Sequence, residues 1–117
     1  MTATVGIHIL GGGPEIHDVI RASAMPDVVR AVGSVIWHAI TWILIVLAIA
    51  IAWLSRNSNP ALEATVIVIQ LGFAALFLFY GVTQLGNVWE MPQWVIFLGI
   101  PVLMLAARRR AQRSQAG

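Results

Sequence analysis

Residues 35–54 read VIWHAITWILIVLAIAIAWL, twenty residues in which His38 and Thr41 are the polar members. A helix of about 20 apolar residues crosses the roughly 30 Å hydrocarbon core of a bilayer, so this stretch predicts a membrane span. The composition around it agrees. The chain is 59% hydrophobic and 10% charged, against about 25% charged in an average soluble domain. Seven arginines and five acids supply the charge, yet between residues 35 and 107 there are only Arg56, Glu63 and Glu90. A water-soluble surface cannot be built from three charges, which excludes an independent soluble domain.

Working outward, residues 64–82 (ATVIVIQLGFAALFLFYGV) predict a second span and residues 88–107 (VWEMPQWVIFLGIPVLMLAA) a third, bent where Pro101 cannot donate to a carbonyl. SRNSNP at 55–60 is a polar turn in which Pro60 opens the next helix, making the first two spans an antiparallel hairpin. TQLGN at 83–87 is a second turn, with Gly86 and Asn87 suited to left-handed backbone. In the tail, residues 11–13 are a triple glycine read as a turn, after which Glu15 and Asp18 mark the first turn of a short helix. That helix sets Ile16, Val19, Ile20 and Ser23 on one side and His17, Asp18 and Arg21 on the other, an amphipathic pattern suited to the membrane interface. Pro26 opens a further helix that runs unbroken into the first span as far as about Leu54. The expectation is an all-α integral membrane protein: a single membrane domain over 1–117, with tail 1–34, spans at about 35–54, 64–82 and 88–107, and a basic tail 108–117.

Arginine counting orients it. Arg56, Arg108, Arg109, Arg110 and Arg113 fall on one side of a three-span chain, Arg21 and Arg30 on the other, which predicts N-out and C-in in a bacterial inner membrane. Trp37, Tyr80, Trp89 and Trp94 then lie at the outer interface and Trp53 at the inner one, as aromatic belts require. Arginines clustered beside an apolar segment are a membrane flank and not a nucleic-acid footprint. A cleaved secretory leader is not expected, because residues 1–14 carry no basic side chain and the apolar run at 5–10 is short.

Few groups offer chemistry. Without cysteine there is no disulfide, thiolate metal site or thiol nucleophile. His38 is the most pointed candidate, since a neutral imidazole in a dry helix can ligate haem iron or the magnesium of a chlorin. The spacing Ser34-x-x-x-His38 superficially resembles the pigment-binding pattern of bacterial light-harvesting polypeptides. The plainer reading is a histidine near the headgroups, bonded to a neighbouring helix or to water. A bis-histidine haem is disfavoured because His8 and His17 lie outside the spans. Gln70, about 9 Å into the second span, shares a face with Glu63, Ala74, Phe77 and Gly81. This polar-and-small stripe either lines a path or makes an interhelical hydrogen bond through a close-packed face, and the second reading is preferred. Ala48 and Ala52 form a further close-approach pair. Glu63 complements its helix start and can face Arg56, while Glu90 can pair with Arg30 or His38. No Walker loop, metal-ligand spacing or nucleophile–base pair is visible, and no acid lies deep in a span. No enzyme activity, no metal and no cofactor is expected, other than haem or chlorin through His38.

The segments VGIHILGGGPEI, MPDVVRAV, SVIWHAITW and MPQWVIFLG together resemble a family of small proteobacterial multi-span inner-membrane proteins. The resemblance carries a His-Gly-Gly, Trp-His and Pro-Gln-Trp pattern and implies no catalytic or binding residue. Family members tend to have an apolar segment ahead of the His-Gly-Gly region, so either this member has lost that span or its true start lies upstream of Met1, which would add a span and reverse the N-terminus. The expected function is a non-catalytic accessory or scaffold subunit of a larger photosynthetic or respiratory complex, partnered by lipid and by other integral membrane subunits. A small homo-oligomeric channel or transporter built on the Gln70 stripe, and a cofactor binder through His38, are the alternatives.

Overall fold

In a computed structural model, which describes residues 1–116, every regular element is helical. The helices are α1 (Thr2–Leu10), α2 (Asp18–Ala22), α3 (Asp27–Leu54), α4 (Pro60–Leu85) and α5 (Gln93–Ala116). A π-helical turn, Gly13–His17, joins α1 to α2, and a 3-10 turn, Val88–Glu90, precedes α5. Contacts divide the chain into two units, Met1–Ser58 and Asn59–Gly117.

Two helices, Asp27–Leu54 and Pro60–Leu85, are long and apolar enough to cross a membrane. The core helix of a soluble protein would be mostly buried. Here Val28, Val35, Trp42 and Ile49 recur every seven residues along α3, each more than half exposed, and Val68, Leu76, Phe79 and Val82 are exposed on α4. That outward apolar surface is what a lipid-facing helix carries.

In the first unit the N-terminal residues are far more ordered than a tail. The run 5–10, too short for a leader, lies within the nine-residue helix α1. The triple glycine does not turn: Gly11 and Gly12 both have right-handed helical backbone, so helical structure passes through the place where a turn is expected. Pairing fixes the arrangement. His8 meets Thr41, Ile20 lies against Gly33, and Arg30 donates to the Arg21 carbonyl at 3.1 Å. Residue numbers rise on one side as they fall on the other, so α1, the π-turn and α2 run antiparallel along α3. Gly12 is required by that approach, because a Cβ there would stand 2.8 Å from the Trp37 ring.

The second unit is a helical hairpin. Asn59 caps α4 by accepting from the Leu62 amide at 3.0 Å, with Pro60 in the first turn, as the Asn-Pro pair predicts. Gly86 ends α4 with φ +67°, a left-handed conformation glycine adopts without a Cβ clash, and the Asn87 amide returns to the Gly81 carbonyl at 3.0 Å. The stretch expected as a third span, residues 88–107, is not one continuous helix, and α5 is not among the two helices long and apolar enough to cross. Residues 88–92 are a 3-10 turn and a bend, and α5 begins only at Gln93, because Pro92 and the Asn87 cap on the Trp89 amide hold the chain out of a helix. Phe73 and Phe77 stack on Phe97 with ring centroids 5.0 and 5.9 Å apart, and Glu63 meets Arg108, so α4 and α5 are antiparallel.

Candidate functional site

Three histidines gather around one tryptophan in the first unit. The His8 ring stacks on Trp37 with centroids 4.0 Å apart and planes at 17°. His17 lies parallel to the same indole at 5.7 Å, and it meets His38 edge-on at 5.2 Å. Thr41 Oγ1 donates to the Trp37 carbonyl at 3.1 Å, so its lone pair accepts from His8 Nε2 at 3.1 Å. That assigns the proton of neutral His8 to Nε2. Burial pushes the His8 imidazole below its ordinary value, with a hydrogen bond toward the Trp37 backbone opposing the shift.

The local sequence explains the gathering. His8 and Gly12 are one helical turn apart, as are Trp37 and Thr41, so two antiparallel helices present matched pairs. The π-turn then ends at His17. Such turns are wider than α-helical ones and recur at functional sites. This one sets His17 against Trp37 and His38, correcting the expectation that His17 shares a solvent face with Asp18 and Arg21. Ile16 and Val19, expected on one apolar side with Ile20, are exposed. His8 and His17 do lie outside the first span, in α1 and the π-turn, and chain folding packs both of them against its Trp37. His17 Nε2 has no accessible surface and, among the described residues, no hydrogen-bond partner. His38 itself is exposed.

The geometry discriminates between ligands. Two imidazoles bound axially on opposite faces of a macrocycle need centroids about 6 Å or more apart with the ring plane between them. His17 and His38 are closer than that and edge-on, so the pair does not fit as two axial haem ligands. Among the described residues, no group of three or more His, Cys, Asp and Glu side chains is set to hold a metal ion.

The second unit holds the other candidate. Gln70 is fully enclosed, in line with buried Val66, Ala74 and Gly81. The interhelical hydrogen bond expected of it is not made: among the described residues, neither Oε1 nor Nε2 has a partner. Its surroundings are apolar: Val66 and Ala74 are buried in line with it on α4, and Phe97 of α5, stacked on Phe73 and Phe77, is buried as well. Glu63 pairs with Arg108 at 3.3 Å, the partner expected having been Arg56. Arg30 pairs with Asp27, one helical turn away. Ala48 is half-buried and Ala52 exposed.

The expected interface anchors differ in their settings. Trp53, Tyr80 and Trp89 are exposed. Trp37 is committed to the histidine stack, and Trp94 donates from Nε1 to the Val88 carbonyl at 3.1 Å. Arg109 and Arg110 line a shallow groove on α5 with Val102, Leu105, Ala106 and Arg113. Compared with protein-family models, curated proteins and solved structures, the chain matches none.

Proposed function

We propose that the chain is a non-catalytic accessory subunit of a larger membrane complex, of the photosynthetic or respiratory kind, embedded N-out and C-in in a bacterial inner membrane. In this reading α3 and α4 span, and the apolar start of α5, residues 94–107, completes a third crossing anchored by Arg108, Arg109 and Arg110.

One observation carries the choice of a scaffold over a channel. A residue that lines a path must be reachable by what passes, and Gln70 is 0% exposed. Its stripe packs within the α4–α5 hairpin, with Phe73 and Phe77 against Phe97. A homo-oligomer has no polar stripe left there to gather around a pore. Buried polar groups usually mark membrane pathways, and this one is closed off by apolar packing.

The test is extraction in mild detergent, followed by native electrophoresis and mass spectrometry of the band that carries the chain. Comigration with a large multi-subunit complex supports the reading. A discrete small homo-oligomer that conducts ions or solute in reconstituted vesicles overturns it.

A further inference from the structure

We infer that His17 and His38 form a two-imidazole chelate for a borderline transition-metal ion such as Cu(II) or Zn(II). This goes beyond the accessory-subunit reading and does not depend on it. Imidazole nitrogen binds such ions at about 2.0–2.1 Å. A ring centroid therefore sits about 3.2 Å from the ion, and two rings at a tetrahedral angle stand about 5.2 Å apart. The His17 and His38 centroids are 5.2 Å apart, with planes at 70°.

Three further features suit the pair to an ion. His17 Nε2 is buried without a partner among the described residues, so a coordination position on that ring is uncommitted. His38 is exposed, which leaves a route of entry. The backbones that carry the two rings are tied together on both sides of the pair, by Gly12 against Trp37 and by the Arg30–Arg21 carbonyl bond. A chelate needs such preorganisation, because two ligands alone bind weakly when they must first be ordered.

The donor set selects the class of ion. Imidazole suits copper, zinc and nickel, whereas calcium and magnesium require oxygen ligands. The nearest carboxylate in sequence, Asp18, is turned toward Arg21 at 4.0 Å. With two protein ligands, the remaining positions on the ion fall to water or to a small external donor. His8 is excluded from the chelate, since its Nε2 is committed to Thr41 and its ring to Trp37.

The experiment titrates CuCl2, and separately ZnCl2, into the full-length, tag-free protein in detergent, with calorimetry for affinity and electron paramagnetic resonance for the copper ligands. One ion per chain is expected, with two imidazole nitrogens in the copper spectrum. His17→Gln and His38→Gln should each weaken binding by at least about tenfold, while His8→Gln stays within about threefold, with helicity by circular dichroism unchanged. Absence of saturable one-to-one binding overturns the inference. So does binding that survives either of the first two variants, or that falls as far with His8→Gln. Should a variant fail to fold, the nitrogen count in the wild-type copper spectrum decides: two supports the pair, and fewer overturns it.

Discussion

Replacing Gln70 by leucine should stabilise the protein. The side chain is fully buried, and neither of its amide atoms has a partner among the described residues. A buried polar group left unsatisfied costs about 1–3 kcal/mol. Leucine is of similar volume, so repacking against the facing helix costs less than about 1.5 kcal/mol. The net expectation is a gain of roughly 1 kcal/mol. A glutamine bonded to a neighbouring helix would behave in the opposite sense, since such bonds contribute about 0.6 kcal/mol on average and at most about 1.7. The sign is therefore diagnostic. Unfolding of the purified protein in mixed micelles by increasing SDS, followed by tryptophan fluorescence and circular dichroism, measures it. Gln70→Ala is the companion variant. It removes the same amide but leaves a cavity, and should fall below the leucine variant by about 2–5 kcal/mol. A leucine variant less stable than wild type by 0.6 kcal/mol or more would refute the reasoning, because it would mean that Gln70 has a partner.

Further outcomes follow from the other contacts. Gly12→Ala should cost about 1–3 kcal/mol, since its Cβ would meet the Trp37 ring at 2.8 Å, whereas Gly6→Ala, with nothing within 4 Å, should be neutral or stabilising; the same SDS titration compares them. The His8 imidazole is held below its ordinary value by burial, so the folded state prefers it neutral. The docking of α1 on α3 should be full above about pH 6.5 and weaken as pH falls through the lower folded value. Amide hydrogen exchange over Thr2–Leu10 reads this out, and a pH response that persists in His8→Gln would place its origin elsewhere. Glu63→Gln should lower stability by less than about 1 kcal/mol, with the wild-type advantage shrinking in high salt; an effect insensitive to salt would mean that the Arg108 pair is not its source. Reporter fusions after Arg113 and within residues 83–87 should read cytoplasm and periplasm respectively, and a cytoplasmic signal from the second would remove the three-span model.

How much was legible in the sequence depends on the range of the interaction involved. Composition and run length are properties of the chain alone, so α3 from Asp27 to Leu54 and α4 from Pro60 were readable without a fold. So were the left-handed stop at Gly86 and the polar turn before Pro60, because their causes are steric and lie within a few residues. The triple glycine, expected as a turn, departs from its local reading for the converse reason. Three consecutive glycines favour a turn when nothing adjoins them. Here Trp37 adjoins them, and a residue without a side chain is what lets a helix approach an indole. Local propensity gave way to a contact twenty-five residues away in sequence.

The same distinction governs the sites. That Gln70 shares a face with Ala74 and Gly81 follows from helical periodicity, and both neighbours are buried with it. That it is enclosed without a partner among the described residues follows only from the packing of α5 along α4, where Phe73 and Phe77 meet Phe97. His38 was visible as an isolated imidazole in an apolar run. His8 and His17, nine residues apart and with no ligand spacing, carried no shared signal until the antiparallel return of the chain and the wide π-turn set them around Trp37. Helix type and apolar length are decided by nearest neighbours along the chain. The histidine cluster and the enclosure of Gln70 are decided by which helix lies alongside which and in what register, and that is a property of the tertiary fold.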